Sequence, residues 1–413
     1  YLNDAPVGVG ALTMRPQSGQ RGAGVTVIDI EGAWLYAHED LPAAFADLGT
    51  HIDDLGWRNH GTAVLGEIRG HDDGSGVTGI VPDCAVGSSS INGLSVAEAI
   101  FNAMVVLQPG DLILIELHGP GPNADGNGQF GYVPMEYWQD NFDAIRLATA
   151  QGILVCEAAG NGYQNLDDPI YLNLFDRTVR DSGAIMCGAT AGGTLDPADF
   201  SNNGMRVDLN GWGWNVTTCA YGDLQGDPLP ETEWYTQFFS GTSSASPIVT
   251  GSVASLQGMV RSRYGFDLDA RLARDILRET GTVLNPGNLI GTRPNLVAAF
   301  AHADTTIGEL TGTVTDLDTG LPLAGVIVQV TGQGGFTMTA ADGTYRLPLL
   351  AGPHDLEFIS YYYGTEAAAA TVVFDQTVVL DMALESLPLI DLTGRVFAGG
   401  AVQPGATVTP TDQ

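Results

Sequence analysis

Three side chains that could act together as a nucleophilic relay lie where the sequence pattern predicts a strand end or a helix start. Asp29 closes the apolar run GVTVID, His60 stands in NHGTAVLGEI, and Ser243 stands in SGTSSASP. In such a relay the carboxylate fixes the imidazole tautomer, the imidazole takes the hydroxyl proton, and the serine oxygen attacks a carbonyl carbon. Each residue alone is more often a cap or a turn former, so the prediction depends on all three.

The neighbours of Ser243 favour a nucleophile. The apolar stretch IVTGSVASLQGMV follows directly and predicts a helix that begins near this serine. Backbone N–H groups and the positive end of the helix dipole would stabilise an oxyanion there. The small residues Gly241, Thr242, Ser244 and Ala245 would let a substrate backbone approach.

The elements that must position these residues alternate between strands and helices. Continuously apolar runs, typical of strands covered on both faces, occupy 24–29, 111–117, 152–160 and 184–190. Helical spacing of apolar residues marks 95–107 and 137–151. This alternation predicts an α/β fold with a mostly parallel sheet and helices on both faces, and ligands beyond the carboxyl ends of the strands.

The pattern changes after Ala303 to short strands separated by turns. Residues 309–332 are rich in Thr, Val and Gly, and residues 341–360 carry a DG turn followed by two short strands. Together they predict an all-β sandwich, and 390–411 repeats the LTG start of the first segment. We therefore expect a catalytic domain over 1–305, a β-sandwich module over 306–386, and the start of a second copy over 387–413.

Charge and composition exclude some classes of partner. The chain has 413 residues, a net charge of −32 and no lysine, which disfavours nucleic acid and anionic membranes. The sequence contains no run of 18 apolar residues, so we expect no transmembrane helix. The chain starts without Met or a leader pattern, so we expect a removed leader and pro-segment, or a fragment.

The four cysteines, Cys84, Cys156, Cys187 and Cys219, are widely spaced and form no CxxC pair. A zinc site is therefore not expected. Cys156 and Cys187 lie in runs that are candidates for neighbouring strands. A disulfide between them and buried free thiols both fit this pattern.

Three motifs resemble those of the subtilisin-like serine proteases (subtilases), over about residues 20–300. GTSSASP is similar to the nucleophile motif GTSxASP around Ser243, NHGTAVLGEI to HGTxVAG around His60, and VID to the strand that carries the catalytic aspartate, here Asp29. EAAGN is similar to the family's AAGN, which implies that the Asn161 side chain donates to the oxyanion. The resemblance implies the subtilisin-like fold and a Ser-His-Asp triad.

The resemblance also implies where an extended peptide binds. Leu117, His118 and Gly119 match by position the family segment SLGG, with Glu116 in place of its serine. Main-chain pairing tolerates such changes. Ala158, Ala159 and Gly160 would form the other wall of the pocket for the residue before the scissile bond. Glu116 and His118 would either tune preference toward basic side chains or face solvent.

Two features depart from the family pattern. Ile30 and Glu31 stand where a Ser or Thr usually follows the aspartate, which is similar to the acid pair of the sedolisins. Because His60 and its HGT flank are intact, we expect a structural role for Glu31, such as pairing with an arginine. The loop 122–138 is longer than in small subtilisins and would cover or narrow the cleft.

Subtilases often hold structural calcium, and the resemblance places candidate ligands here. HEDL provides Asp40 after the aspartate strand, and HDDGSGVTGIVP provides Asp73 after the histidine helix. Carboxylate and carbonyl oxygens suit calcium, but a DD pair in so acidic a chain is also ordinary solvated surface. No organic cofactor is expected.

The segments GTVTDLDTGLPLAGVIVQV and ADGTYRLPLLAGPHDLEF resemble carboxypeptidase regulatory-like β-sandwich modules, which are appended to secreted enzymes. Such a module implies a spacer, a stabiliser or a unit that binds a surface or polymer ligand. It carries no catalytic constellation.

The resemblance implies a secreted, monomeric serine endopeptidase that cleaves protein or peptide substrates through an acyl-enzyme, without inserting into membranes. Two alternatives stay open. One is a subtilase fold used for binding, with catalysis blocked by the 122–138 loop or a retained pro-segment. The other is a surface-adhesion protein dominated by its C-terminal modules. The intact Asp29, His60, Asn161 and Ser243 argue against blocked catalysis, because a binding protein does not need all four.

Overall fold

The computed structural model describes residues 1–283, 287, 289–331 and 336–388, and the backbone of 397–398 and 401–402. The helices are α1 (Ala11–Met14), α2 (Leu55–Arg69), α3 (Val96–Val106), α4 (Gln139–Ala150), α5 (Thr242–Tyr264), α6 (Ala270–Thr280) and α7 (Leu296–Thr306).

The strands fall into two groups along the chain. The first group is β1 (Thr26–Glu31), β2 (Asp47–Leu48), β3 (Ala85–Ser90), β4 (Leu112–Ile115), β5 (His118–Pro120), β6 (Tyr132–Pro134), β7 (Leu154–Ala158), β8 (Ile185–Thr190), β9 (Leu209–Trp212), β10 (Val216–Cys219) and β11 (Tyr235–Phe239). The second group is β12 (Ile307–Asp316), β13 (Ile327–Val330), β14 (Phe336–Met338), β15 (Thr344–Leu350), β16 (Gly352–Ile359), β17 (Glu366–Val372), β18 (Thr377–Val379), β19 (Met382–Leu384), β20 (Phe397–Ala398) and β21 (Ala401–Val402).

A seven-stranded parallel sheet is the centre of the first group, in the order β2-β3-β1-β4-β7-β8-β9. β1, β4, β7 and β8 occupy the four apolar runs, and α3 and α4 occupy the two segments with helical spacing. The predicted α/β fold with a parallel sheet is therefore confirmed.

Helices cover both faces of this sheet because its strands are apolar on both sides. Helices α2, α5, α6 and α7 share one core with Val27 and Leu114, whereas α3 and α4 share a second core with Ile28 and Ile115. Successive side chains of a strand point to opposite faces. Asp29 and Glu31, which alternate with the isoleucines of β1, therefore face the layer of α2 and α5.

The four cysteines are buried free thiols. Cys156 lies on β7 and Cys187 on the adjacent β8, but the register pairs Cys156 with Ile185. The alternative of a disulfide between them is therefore wrong for this structure. The two thiols instead pack as small apolar groups in the core beneath α5.

The second group of strands forms two facing sheets. One has the order β15-β12-β18, with β19 also paired to β12, and the other has the order β14-β13-β16-β17. Val314, Leu347, Leu356 and Phe358 are among the side chains that fill the space between the sheets. This arrangement agrees with the predicted β-sandwich.

The predicted second copy over 387–413 lies almost entirely outside the described residues. Within it, the backbone of β20 pairs antiparallel with β21. No helix in the described part of the chain is long and apolar enough to cross a membrane.

A buried ion-pair network supports the sheet near β7. The Arg206 guanidinium, 1% exposed, lies 2.6 Å from Glu136 Oε1 and 2.5 Å from Asp208 Oδ2, and both acids are also buried. Glu157 of β7 lies at the edge of this network, 3.9 Å from Arg206 Nη2. The network thus anchors the strand that leads into the segment Ala158–Gly160.

Replacing Arg206 by Met should destabilise the protein by about 3–5 kcal/mol, because it leaves buried carboxylates without their cation. Arg146→Met is the matched control: Arg146 lies 3.7 Å from Asp143 on the surface, and its loss should cost less than about 1 kcal/mol. Urea unfolding of both variants measures the difference. Equal losses would show that the network contributes no more than a surface pair.

Candidate active site

The carboxyl end of β1 carries two buried acids that face the same helix layer. Asp29 and Glu31 are both fully buried. Asp29 Oδ2 accepts a hydrogen bond from Trp34 Nε1 over 2.7 Å, and the two carboxyl groups are also in hydrogen-bond contact with each other. Within the described residues, neither acid forms an ion pair with an arginine, and the ion-pair partner of Glu31 is His60. The expected pairing of Glu31 with an arginine is therefore wrong.

Helix α2 brings His60 to these acids. The helix begins at the Asp54 cap, whose side chain accepts from Trp57 N. A Cβ on Gly61 would lie 2.5 Å from both the Ala33 carbonyl oxygen and the Trp34 ring, so glycine is needed for this close approach. His60 Nδ1 then lies 2.7 Å from Glu31 Oε2.

The contact expected of Asp29 is thus made by Glu31, which corrects the sequence prediction. Strand β1 continues two residues beyond the predicted end at Asp29. The side-chain period of two places Glu31 on the same face as Asp29 and nearer to the carboxyl end. Meanwhile Trp34 occupies one Asp29 oxygen. The alternation I-D-I-E was the signal in the sequence that could have identified Glu31.

Ser243 is the second residue of α5 and is half-buried. Gly241, immediately before the helix, has φ +107°, a conformation that other residues rarely adopt. The start of α5 is held by a hydrogen bond from Ser244 Oγ to the Trp212 carbonyl, at 2.7 Å. Ser243 therefore lies at the N-terminal end of a long helix, as predicted.

The Asn161 side chain and the Ser243 amide border one small space. Asn161 Oδ1 accepts from Thr242 N at 2.8 Å and from Thr242 Oγ1 at 2.9 Å, which fixes the orientation of the amide. A Cβ added to Gly241 would lie 3.2 Å from Asn161 Nδ2 and 3.5 Å from Ser243 N. Two nitrogens that carry N–H groups thus lie within 3.5 Å of one point at the start of α5, and an oxyanion site needs donors of this kind.

The loop 122–138 reaches this space. Its residue Gln129 accepts a hydrogen bond from Asn161 Nδ2 over 3.2 Å. The end of the loop forms β6, which pairs antiparallel with β5. The loop therefore borders the cleft, in line with the expectation that it narrows it, and sequence reasoning had not singled out Gln129.

The pairing of β5 with β6 leaves one edge of β5 for another strand. Antiparallel residues alternate between hydrogen-bonded and non-bonded pairs. Gly121 N donates to Gly131 O over 3.0 Å, and Gly119 faces Val133 two residues earlier, so Gly119 bonds to β6. The N–H and C=O of His118, which alternates with Gly119, are therefore directed to the opposite edge.

His118 also supports the segment that carries Asn161. Its Nδ1 accepts a hydrogen bond from Asn161 N over 3.2 Å, and its ring packs edge-on against Tyr132. Burial lowers the pKa of His118 to about 4, so the imidazole is neutral at ordinary pH and available as an acceptor. Its side chain is thus held by the fold and does not simply face solvent.

The remaining predicted substrate residues lie around the same cleft edge. Leu117 is buried just before β5, Ala158 and Ala159 are buried at the end of β7, and Gly160 has φ +93°. Their role as pocket walls stays a prediction. Glu116 is only 4% exposed, and its Oε1 hydrogen-bonds Ser246, so the alternative that it faces solvent is wrong.

The site is a buried, acidic environment. Burial raises the pKa of Asp29, Glu31 and Glu116 well above the ordinary carboxyl range, and mutual repulsion raises the pKa of Asp29 and Glu116 further. Burial also lowers the pKa of His60 to about 4. The imidazole is therefore neutral at ordinary pH, as a general base must be.

The predicted calcium ligands are engaged in local hydrogen bonds. Asp40 Oδ2 accepts from Val77 N at 2.6 Å, and Asp73 Oδ1 accepts from Ser75 N at 2.9 Å. In the described part of the chain, no group of three or more His, Cys, Asp or Glu side chains is placed to hold a metal ion. Asp40 and Asp73 therefore do not belong to a side-chain cluster of the size that holds a metal ion.

Comparison with known proteins relates both parts of the chain to families. The subtilase family matches residues 38–289, which include His60, Asn161 and Ser243 but start after Asp29 and Glu31. The carboxypeptidase regulatory-like domain matches residues 309–385.

Individual relatives are similar over most of the first domain. An intracellular serine protease of Paenibacillus polymyxa is 26% identical over 301 residues, 68% of this chain and 81% of that protein. Subtilisin BL of Lederbergia lenta is 26% identical over 284 residues, 66% of this chain and 89% of that protein.

Among solved structures, fervidolysin from Fervidobacterium pennivorans, a keratinolytic enzyme related to subtilisin, shares the fold with a TM-score of 0.52 at 19% identity. That alignment covers 91% of this chain and 62% of fervidolysin. The family match extends over more than half of the chain and includes the serine, histidine and asparagine described above. The chain therefore belongs to the subtilase family and is a serine endopeptidase.

Proposed function

We propose that Ser243 is the nucleophile of a peptide-bond hydrolysis that proceeds through an acyl-enzyme. The observation that carries this proposal is the placement of the Ser243 N–H beside the Asn161 amide at the start of α5. The hydrogen bond of His60 Nδ1 to a buried carboxyl group supports it. With Nδ1 occupied as donor, Nε2 is the basic nitrogen of the neutral ring.

In the first half of the reaction, Ser243 Oγ attacks the peptide carbonyl carbon and its proton moves to His60 Nε2. The oxyanion accepts hydrogen bonds from Ser243 N and Asn161 Nδ2. The carbon–nitrogen bond then breaks, and His60 returns the proton to the leaving amine. In the second half, water attacks the ester while His60 takes and returns a proton, which releases the acid and restores Ser243.

The substrate is an extended polypeptide that adds as a strand to β5. The N–H and C=O of His118 provide main-chain hydrogen bonds at the edge opposite β6. Such pairing holds a peptide by its backbone and leaves side-chain preference to the walls around Leu117 and Ala158–Gly160. The Asn161 side-chain amide has two N–H donors, so one can stay on Gln129 while the other donates to the oxyanion.

Several further properties belong to this proposal and are independent of the chemistry. We propose a secreted, monomeric enzyme, consistent with its strongly acidic surface. The C-terminal module would hold the enzyme near a surface or polymer ligand. Structural calcium near Asp40 and Asp73 would have to use backbone oxygens in addition to these side chains.

A fluorophosphonate should label the protein once, on Ser243, and casein cleavage should be present in the same sample. Ser243→Ala should abolish both, because the attacking oxygen is removed. Ser18→Ala, at an exposed hydroxyl that hydrogen-bonds Ser262, is the matched control and should retain both. Peptide mapping by mass spectrometry locates the adduct. An unlabelled, folded wild-type protein would favour the catalytically blocked alternative instead.

Asn161→Ala should lower kcat by about 100- to 1,000-fold and change KM little, because the lost donor acts on the oxyanion and not on the bound peptide. Asn102→Ala, at an exposed position of α3, is the control and should leave both constants unchanged. Steady-state kinetics on a chromogenic peptide measure kcat and KM separately for each variant. A rise in KM with unchanged kcat would place Asn161 in substrate binding.

A further inference from the structure

The two acids at the end of β1 are arranged as a chain that leads to His60. His60 Nδ1 lies 2.7 Å from Glu31 Oε2, Glu31 contacts Asp29, and Asp29 Oδ2 lies 2.7 Å from Trp34 Nε1. Each carboxyl group therefore has one oxygen that accepts from a ring N–H. The inference below rests on the proposed function of Ser243 and His60, and it concerns which acid is ionised and which acid orients His60.

The second oxygens of the two acids have no donor. Asp29 Oδ1 and Glu31 Oε1 are both buried. Within the described residues, neither oxygen accepts a hydrogen bond from an N–H group or a hydroxyl group. A buried acceptor without a donor costs free energy. One proton held between the two carboxyl groups removes this problem for both, as in other pairs of close carboxyl groups.

We propose that Glu31 is the carboxylate that orients His60, and that Asp29 is a positioning residue that stays protonated and donates a hydrogen bond to Glu31. The Asp29 hydroxyl proton lies between the two acids, and Trp34 holds the other Asp29 oxygen. Glu31 then accepts one hydrogen bond from Asp29 and one from His60. The relay would have four members, Ser243, His60, Glu31 and Asp29.

The charges around the pair support this assignment. Within the described residues, the other ionisable groups that act on these two acids and on His60 are Tyr36, Glu116, His118 and Tyr221. None of these four carries a positive charge at neutral pH: the acid and the phenols cannot, and burial keeps His118 neutral. A second carboxylate beside Glu31 would therefore be buried without a cation, which is costly.

A single carboxylate fits the catalytic cycle better. When His60 takes the Ser243 proton, the imidazolium meets one negative charge at 2.7 Å and the pair is neutral as a whole. Because Glu31 contacts the imidazole ring, its carboxylate directly stabilises the positive charge that forms on His60. Asp29 lies two residues before Glu31 on β1 and acts on His60 only through Glu31.

The test compares Asp29→Asn with Glu31→Gln by kcat, KM and the pH dependence of kcat/KM. An asparagine amide donates to Glu31 as a protonated Asp29 would, so Asp29→Asn should cost no more than about tenfold in kcat. Glu31→Gln removes the carboxylate and should cost about 10,000-fold. KM should stay within about threefold in both variants, because neither residue binds the peptide.

The pH profile separates an orienting role from a merely structural one. A carboxylate beside the imidazole stabilises its protonated form and raises its pKa. Glu31→Gln should therefore move the acid limb of kcat/KM to lower pH, whereas Asp29→Asn should leave it near the wild-type position. Asp53→Asn, at an exposed acid between β1 and α2, is the matched control and should change neither rate nor limb.

The opposite result, a large loss in Asp29→Asn and a small one in Glu31→Gln, would overturn the assignment, as would equal losses. If Glu31→Gln does not fold, the His60 Nδ1 proton is followed by NMR in ¹⁵N-histidine protein. A strongly downfield signal should persist in Asp29→Asn, and its disappearance there would also overturn the assignment. Absence of fluorophosphonate labelling in the wild-type protein is a separate result, which removes the proposed nucleophile instead.

Discussion

The hydrogen bond between His60 Nδ1 and Glu31 Oε2 is the contact on which the other parts of the site depend. It joins β1, an inner strand of the sheet, to helix α2, and it can form only because glycine at position 61 lets the helix approach Trp34. The same tryptophan holds Asp29. Packing of one aromatic ring thus sets the distance between strand and helix and the hydrogen bonding of both acids.

The oxyanion side of the cleft is built by different means. Here the backbone conformation of Gly241 and the two contacts of Thr242 with Asn161 bring the end of β7 to the start of α5. The loop after residue 122 adds Gln129 to this side and supplies β6 as a partner for β5. The histidine side is therefore set by buried side chains, whereas the oxyanion side is set mainly by main-chain geometry.

Much of this arrangement could be predicted from short patterns. The four apolar runs identified strands of the parallel sheet because buried strands carry apolar residues on both faces, and GTSSASP located the serine at a helix start. The partner of His60 was not predicted, because motif similarity ended at Asp29 and the continuation of β1 to Glu31 depends on its pairing with Ser90 of β3. The contact of Gln129 was also not predictable, because a loop of that length has no periodic pattern.

The junction between the two domains has a mechanical consequence. Helix α7 ends at Thr306 and β12 begins at Ile307, and the Ile307 side chain belongs to the core of the catalytic domain, with Leu350 of β15 packed against that core. The helix thus continues directly into the strand, without a flexible linker such as a Gly/Ser-rich segment would provide. A surface bound by the module would be held at one offset and one angle from the cleft. Cleavage of an anchored polymer would then be confined to peptide bonds at that fixed distance from the attachment point of the module.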